Sequence, residues 1–318
     1  MRVLFAGSPE IAVPVLDTLC AMKEIKVAGV LTNPDSPKGR SGALLPTEVG
    51  IAAAGLLRER KADFQVLKPA KLDSGAREQV NALKCDLLIS FAYGRIFGPK
   101  FLALFPLGGI NIHPSLLPRY RGPSPIQAAI LNRDGVTGIS VQKIALQMDS
   151  GDILFQEKLQ LTGSETTLAL EKTMALKAAQ IIGDVLVKIA AGEKFGEPQN
   201  QKEASYCSLV AREDALLDWK RGAREIEAEI RAYNPWPLSR TIHKGLELFI
   251  LKAGLYKKGC ELNGSPGEVL GIDKQDGILI QTGEGIVAVT ELQYQAKKAL
   301  FWKDFLNGAR NFTGSVLG

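Results

Sequence analysis

Histidine and cysteine are scarce in this sequence. It has two histidines, His113 and His243, and four cysteines among 318 residues, and the cysteines lie far apart with no C-x-x-C pair. Such spacing argues against a disulfide framework and a zinc site, and it favours the reducing cytoplasm as the location. Two histidines leave little scope for multi-histidine metal chemistry, so we expect no metal.

Long hydrophobic runs are also missing. No stretch reaches the roughly 18 uninterrupted apolar residues of a membrane span. The short apolar run at the N-terminus is broken by Gly-Ser-Pro-Glu at residues 7–10, which favours a first strand and turn over a signal peptide. We therefore expect no association with a membrane.

The excess of positive charge is small. The formal net charge is +5, with 46% hydrophobic and 23% charged residues, the ordinary balance of a globular protein. A mildly basic chain permits attraction to a polyanion. Its basic residues are spread along the sequence, however, whereas dedicated nucleic-acid binders usually concentrate them on one face.

The first half of the sequence alternates predicted strands and helices. Strands are expected at Arg2–Ala6, Ile25–Leu31 and Asp86–Ser90, with helices between them such as Glu10–Met22. Repeated β-α-β units predict a mostly parallel sheet with helices on both faces, which is a doubly wound, Rossmann-like α/β domain. The chain length favours two domains, and we place the first at residues 1–191.

The composition and the hydrophobic periodicity of the sequence change after residue 191. Residues 192–208 are polar and without periodicity, which is typical of a linker. Beyond them, five short strands between Thr241 and Leu292 are separated by N-G, D-G and G-E-G turns. This pattern predicts a small β-barrel domain at residues 209–318.

Asn111 and His113 are the first residues whose pattern indicates chemistry. If Gly109–Ile112 is a strand, both side chains share a face at its carboxyl end, where open α/β sheets bind ligands. The alternative is a hydrogen-bonded histidine that merely ends a strand. Asp149, in a later loop, would complete a catalytic set: a carboxylate that orients an imidazole, and an imidazole and an amide that stabilise an oxyanion.

Several motifs make this sequence similar to the folate-dependent formyltransferases. The most specific are G-I-N-I-H-P-S-L-L-P-R-Y-R-G-P-S-P-I-Q (Gly109–Gln127) and M-D-S-G-D-I-L (Met148–Leu154). Others, in the family's order, are F-A-G-S-P (Phe5–Pro9), N-P-D-S-P-K-G-R (Asn33–Arg40), A-Y-G-R-I-F-G-P (Ala92–Pro99) and R-A-Y-N-P-W-P (Arg231–Pro237). The Asn33–Arg40 loop and the N-P-W-P segment narrow the resemblance to the branch that acts on tRNA.

The resemblance implies transfer of a formyl group from 10-formyltetrahydrofolate to the free α-amino group of methionine on initiator tRNA, for translation initiation. Attack of the amine on the formyl carbon creates an oxyanion, to which Asn111 and His113 are expected to donate hydrogen bonds. Asp149 is expected to hold the imidazole, favour its protonated form and position a water that relays the amine proton. Neither a metal nor a covalent intermediate is implied.

The resemblance also implies where both substrates bind. Folate is expected in the crevice at the carboxyl ends of the strands, and tRNA at the 33–46 loop and at an OB-like (oligonucleotide-binding) C-terminal barrel. The candidate folate-binding residues are Ala92, Tyr93, Gly94, Leu87, Ile89, Ser115, Leu116, Leu117 and Pro118. The candidate tRNA-binding residues are Arg40, Lys38, Arg212, Lys220, Arg231 and Lys244. A monomer is expected.

Three positions lie outside the family's pattern. The loop continues from Arg40 with Ser-Gly-Ala-Leu, where the family usually has lysines. We therefore expect this loop to bind phosphate more weakly. Gln147 replaces a glycine that precedes the catalytic aspartate, so the approach of this loop is expected to differ. His243 matches no motif and is expected to be structural or exposed.

Other functions share parts of the same pattern. A formyltransferase acting on an amino sugar nucleotide would keep the three catalytic residues and a C-terminal domain of similar size. A hydrolase could release the formyl group to water with the same residues. A non-catalytic RNA-binding protein could retain the scaffold, although the intact Asn111, His113 and Asp149 weigh against this. The identity of the formylated product would separate these alternatives.

Overall fold

Two units are described by the computed structural model, which covers residues 1–37, 42–258, 263–309 and 311–318. Unit 1 comprises Met1–Pro125, Val136–Gln160 and Glu171–Cys207. Unit 2 comprises Ile126–Gly135, Leu161–Leu170 and Ser208–Gly318. Each unit has a sheet and a hydrophobic core of its own.

Unit 1 is built on a seven-stranded sheet. The strands described in the first 160 residues are β1 (Arg2–Gly7), β2 (Lys26–Leu31), β3 (Ser36–Pro37), β4 (Leu44–Leu45), β5 (Gln65–Leu67), β6 (Leu87–Phe91), β7 (Gly109–His113), β8 (Val136–Lys143) and β9 (Ile153–Gln160). The order in the sheet is β5-β2-β1-β6-β7-β8-β9, and β3 pairs with β4 separately.

The pairing confirms the predicted α/β sheet and adds an antiparallel edge. Strands β5, β2, β1, β6 and β7 are parallel, and β6 is buried along its whole length, as expected for a strand covered on both faces. Strands β8 and β9 are antiparallel. They are joined by a short loop, residues 144–152, and short connections suit antiparallel neighbours.

The chain also forms helices between and after these strands. The helices that begin in the first 170 residues are α1 (Val13–Ala21), α2 (Glu48–Arg58), α3 (Ser74–Ala82), α4 (Pro99–Leu102), α5 (Pro125–Leu131) and α6 (Thr167–Ala190). Polar side chains start two of them: Thr47 accepts from Gly50 N, and Asp73 accepts from Ala76 N. Such caps satisfy backbone donors that a helix leaves free.

Unit 2 contains an antiparallel sheet. Its elements are α7 (Ala223–Ala232), β10 (Arg240–His243), β11 (Leu246–Leu255), β12 (Val269–Asp273), β13 (Gly277–Gln281), β14 (Ile286–Tyr294), β15 (Leu300–Phe301) and α8 (Trp302–Gly308). The strand order is β10-β11-β14-β13-β12, with β15 on β14. The five predicted strands are confirmed. The amphipathic helix α7 buries Ile226 and Ile230 in the same cluster as Val287 and Val289 of β14.

The segment predicted as a linker is part of unit 1 as far as Cys207. Its end runs beside the loop that follows β7: Arg121 N donates to Ser205 O at 2.8 Å, and Cys207 N donates to Arg121 O at 2.8 Å. Residues 192–207 therefore differ from the expected free connection. Backbone pairing needs no side-chain pattern, so composition gave no sign of it.

Among the described residues, no helix is both long enough and apolar enough to cross a bilayer.

His243 lies inside unit 2, with 4% of its surface exposed. Its Nδ1 is 2.5 Å from Tyr294 Oη, and its ring meets Phe312 edge-on with the ring centres 4.8 Å apart. Within the part of the chain that the structure describes, Nε2 has no hydrogen-bond partner. Burial lowers the pKa of His243 below its usual value, and the nearby charge of Lys244 acts in the same direction. The prediction of a structural role agrees with this position.

The stability of the protein is expected to depend on the protonation of His243. The folded state keeps the ring neutral while the unfolded chain takes up a proton near pH 6.5. Stability should therefore be fully present above pH 6.5 and decline as the pH falls through that value. Urea unfolding between pH 7.5 and 5.5, followed by tryptophan fluorescence, should show a flatter decline for His243→Phe than for the wild type. Parallel declines would contradict the prediction.

Candidate active site

Strand β7 presents Asn111 and His113 at the carboxyl end of the parallel part of the sheet. Asn111 pairs with Ser90 of β6 on one side and with Gln142 of β8 on the other. Asn111 is partly exposed, whereas His113 is 4% exposed. Because alternate side chains of a strand share a face, both residues lie on the same face, as the sequence predicted.

The Asp149 carboxylate meets both residues from the loop between β8 and β9. Oδ1 accepts from Asn111 Nδ2 at 3.4 Å and from Gln142 Nε2 at 2.8 Å. Oδ2 accepts from Gly122 N at 2.9 Å and lies 3.7 Å from His113 Nδ1. The loop thus brings its carboxylate to β7 although Gln147 stands in place of the family's glycine.

The hydrogen bonds of His113 determine which nitrogen faces the carboxylate. Nε2 lies 2.8 Å from the backbone oxygen of Tyr120. A carbonyl oxygen can only accept, so Nε2 carries a hydrogen. Nδ1 therefore faces Asp149, at a distance too long for a direct hydrogen bond. A proton on Nδ1 would place an imidazolium beside a carboxylate and leave that N–H available to a substrate.

The backbone around Asp149 is tightly constrained. Asp149 itself has φ 51°, in the left-handed region that L-residues seldom adopt. A Cβ on Gly151 would lie 1.9 Å from Lys143 O, and a Cβ on Gly122, where φ is +111°, would lie 2.3 Å from Cys207 O. Glycine is thus required on both sides of the carboxylate, in the D-S-G-D and R-G-P segments.

Three buried polar residues beside or behind the Asp149 carboxylate were not predicted from the sequence: Gln142, Gln199 and Arg121. Gln142 is 1% exposed within the otherwise buried strand β8, and a polar residue in such a run is a signal that could have indicated it. Arg121 is fully buried, and Gln199 is 7% exposed. Gln199 lies in a segment in which most residues are polar, so its sequence context gave no sign that this glutamine is buried.

The predicted folate-binding residues divide into exposed and buried groups. Ala92 and Gly94 are exposed just beyond β6, and Leu116 and Pro118 are half-buried. Tyr93, Ser115 and Leu117 are at most 3% exposed. The Ser115 hydroxyl donates to Arg119 O at 2.6 Å. These seven residues remain candidates, the buried ones through their backbone.

Leu87 and Ile89 do not form an apolar wall of a crevice. Both have 0% of their surface exposed in β6, which is covered on both faces, so a ligand has no access to their side chains. The prediction failed because an apolar residue in a strand looks the same in sequence whether it faces a ligand or the core.

The predicted tRNA-binding residues differ in their surroundings. Lys38 and Arg40 lie outside the described residues. Lys220 and Lys244 are exposed, and the exposed Arg212 donates to both carboxylate oxygens of Glu247 at 2.9 and 3.0 Å.

Arg231 is not a phosphate contact in this structure. It is 9% exposed, donates to Glu227 at 2.6 and 2.9 Å and to Glu165 O at 2.9 Å. A guanidinium that is 9% exposed and bonded to a carboxylate and a backbone oxygen offers little surface to a phosphate, so the structure argues against Arg231 as a tRNA contact.

Acidic, histidine and cysteine side chains do not gather in the described part of the chain into a group of three or more that could hold a metal ion.

Comparison with known proteins gives the same assignment for both parts of the chain. Residues 1–186 match the sequence model of the family described as "Formyl transferase", and residues 210–310 match "Formyl transferase, C-terminal domain". Methionyl-tRNA formyltransferase of Treponema denticola is 48% identical over 317 residues, covering 98% of each chain. Its counterpart in Borrelia hermsii is 39% identical over 316 residues, covering 99% of each.

Solved structures share the fold at low identity. HypX from Aquifex aeolicus, in complex with tetrahydrofolic acid, has a TM-score of 0.65 at 18% identity; the match covers 99% of this chain and 48% of HypX. An N-formyltransferase from Helicobacter canadensis, in complex with folinic acid and dTDP-3-aminofucose, has a TM-score of 0.65 at 19% identity, covering 91% of this chain and 99% of that one.

The close approach at Gly151 predicts a large cost for adding one methyl group. Gly151→Ala places Cβ against Lys143 O, so the backbone must shift, and overpacking of this kind costs about 1–3 kcal/mol of stability. Urea unfolding measures the loss. Gly55→Ala in α2, where a Cβ meets no atom within 4 Å, is the matched control. It should be neutral or stabilise by up to about 1 kcal/mol. Equal effects at both positions would contradict the prediction.

Proposed function

The chain belongs to the formyl transferase family, and we propose from this membership that it transfers the formyl group of 10-formyltetrahydrofolate to the α-amino group of methionyl-initiator tRNA. The observation that carries the proposal is the convergence of Asn111, His113 and Asp149. Asn111 Nδ2 lies 3.4 Å from Asp149 Oδ1, and His113 Nδ1 lies 3.7 Å from Asp149 Oδ2. An amide, an imidazole and a carboxylate suit acyl transfer to an amine.

The reaction exchanges one carbon–nitrogen bond for another. The amine nitrogen forms a bond to the formyl carbon, the bond from that carbon to N10 breaks, and the proton lost by the amine is balanced by one gained at N10. Between these events the formyl oxygen carries negative charge. Asn111 Nδ2 and His113 Nδ1 flank the Asp149 carboxylate. Asn111 Nδ2 carries two hydrogens, and His113 Nδ1 carries one in the imidazolium form, so both groups could donate to that oxygen.

Asp149 would act on the proton of the attacking amine. Its carboxylate lies next to both oxyanion donors, 3.4 Å from Asn111 Nδ2 and 3.7 Å from His113 Nδ1. A water held by this carboxylate would carry the amine proton towards N10. Each preorganised donor to the oxyanion is typically worth about 2.7–4 kcal/mol, and alignment of the two substrates about 7–11 kcal/mol.

The folate donor supplies the activated formyl group. The exposed residues just beyond the carboxyl end of β6 fit such a ligand, because Gly94 has open space where a Cβ would project. Ala92, Tyr93 and Gly94, with the backbone of Ser115–Pro118, would contact the pterin on the side of the sheet that carries Asn111 and His113. Sheets of this type bind their ligands at this edge.

The tRNA would be held by basic residues of the 33–46 loop and of the C-terminal part. Lys38 and Arg40 remain proposed contacts for the acceptor end, and Arg212, Lys220 and Lys244 for phosphates. We propose that the predicted catalytic domain, residues 1–191, corresponds to unit 1 and so extends through residues 192–207. Residues 209–318 would form the OB-like tRNA-binding domain. The protein would work as a cytoplasmic monomer.

An amino sugar nucleotide is a less favoured acceptor. Enzymes of that kind share the fold at 19% identity, whereas the tRNA-acting relatives reach 48%. Hydrolysis of the donor is also less favoured, because an enzyme that aligns an amine with the formyl carbon gains rate from positioning that water does not.

One assay compares these functions. The protein is given 10-formyltetrahydrofolate with methionyl-tRNA, uncharged tRNA, dTDP-3-aminofucose or water alone, and the formylated product is identified by mass spectrometry. We expect formylmethionyl-tRNA with the wild type. His113→Ala should lower kcat about 10²- to 10³-fold, the cost of one oxyanion donor, with little change in KM for tRNA.

The control for this variant is His243→Gln, which alters the other histidine, in unit 2. It should keep wild-type turnover at 25 °C once circular dichroism shows that it is folded. Product only from the sugar nucleotide or from water would overturn the proposed acceptor. A His113→Ala enzyme with full turnover would overturn the proposed role of the imidazole.

A further inference from the structure

Gln142 is a buried polar residue beside the proposed catalytic carboxylate. It lies on β8 with 1% of its surface exposed, and the antiparallel register places it directly opposite Asn111 of β7. Paired residues on neighbouring strands present their side chains to the same face. Gln142 Nε2 donates to Asp149 Oδ1 at 2.8 Å, a shorter contact than the 3.4 Å from Asn111.

Gln199 fixes the orientation of the Gln142 amide by donating to its oxygen, on the side away from Asp149. Gln199 Nε2 donates to Gln142 Oε1 at 3.2 Å, to Asp149 O at 2.9 Å and to Gly151 O at 2.7 Å. Because the Gln142 oxygen faces these donor hydrogens, its nitrogen must face the carboxylate. The same Gln199 nitrogen holds the backbone on both sides of Ser150.

Arg121 in turn fixes Gln199. Its Nε and Nη2 donate to Gln199 Oε1 at 3.0 and 2.7 Å, and its Nη1 donates to Gln201 Oε1 at 2.9 Å and to Tyr206 Oη at 3.0 Å. A guanidinium has donors only, so the Gln199 oxygen must point to it and the Gln199 nitrogen away from it. The direction of each hydrogen bond from Arg121 to Asp149 is therefore determined.

We propose that Gln142 is a positioning residue for the formyl transfer, set by Arg121 and Gln199 to hold Asp149 Oδ1 so that Oδ2 faces His113 Nδ1. The inference rests on the proposed function. It explains why a loop whose central residue has φ 51° keeps one arrangement: the carboxylate is bonded at one oxygen by Gln142 and at the other by Gly122 N at 2.9 Å. Gln142 itself touches no reacting atom.

Two substitutions distinguish a positioning role of Gln142 from a role in core packing alone. Gln142→Met keeps the length and approximate volume of the side chain and removes the donor. Gln142→Glu keeps an acceptor for Gln199 and turns a carboxylate oxygen towards Asp149. Gln281→Met, on β13 in unit 2, is the matched control, because its amide donates only to the backbone oxygens of Thr282 and Gly285 among the contacts described.

The experiment measures kcat and both KM values for formylmethionyl-tRNA synthesis, together with thermal unfolding. We expect Gln142→Met to lower kcat about ten- to a hundredfold, the equivalent of one hydrogen bond to a charged group. KM for folate and for tRNA should stay within about twofold, since Gln142 contacts neither substrate. Gln142→Glu should lower kcat further by repulsion, and Gln281→Met should leave it unchanged.

Each result decides the inference. Wild-type kcat in Gln142→Met, or a loss that resides in KM, would overturn it. If Gln142→Met does not fold, Gln142→Glu carries the test, and failure of both to fold would make Gln142 a structural residue and overturn the inference. A wild type that formylates no acceptor would overturn the proposed function as well, whereas an active wild type with an unaffected Gln142→Met overturns only the positioning role.

Discussion

The hydrogen bonds to the Asp149 carboxylate are the contacts on which the rest of the site depends. Three stretches of chain meet there: β7 through Asn111, the loop after β7 through Gly122 N, and β8 through Gln142. Three donors hold its two oxygens. Ionised acceptors form stronger hydrogen bonds than neutral ones, so this charge fixes the relative positions of the segments.

The need to satisfy that carboxylate explains the unusual backbone around it. Asp149 adopts a left-handed conformation, and Gly122 and Gly151 approach neighbouring carbonyl oxygens too closely for any side chain. Residues held in such conformations cost of order 1–3 kcal/mol each and persist only where surrounding contacts determine them. Residues 192–207 supply part of these contacts, because Gln199 donates to Asp149 O and Gly151 O. This segment accordingly packs in unit 1 and is not a free linker between the two units.

Local sequence predicted the elements of the fold and the three residues of the proposed catalytic set, because both leave signals within a few residues. The alternation of strands and helices indicated the parallel sheet, and the N-I-H and D-S-G-D segments indicated Asn111, His113 and Asp149. Gln142 depends instead on the register that pairs it with Asn111, which no local pattern encodes. Arg231 was misassigned although Glu227 stands four residues before it, a spacing that favours an ion pair along a helix.

His113 and Asp149 are proposed to act as one catalytic unit, and a double-mutant cycle tests this most directly. We would measure kcat/KM for formyl transfer in His113→Ala, Asp149→Asn and the double variant. Residues that act together are strongly non-additive. The double variant should therefore lose about as much as the worse single variant. A loss equal to the product of the two single losses would show that the residues act independently and would contradict the account.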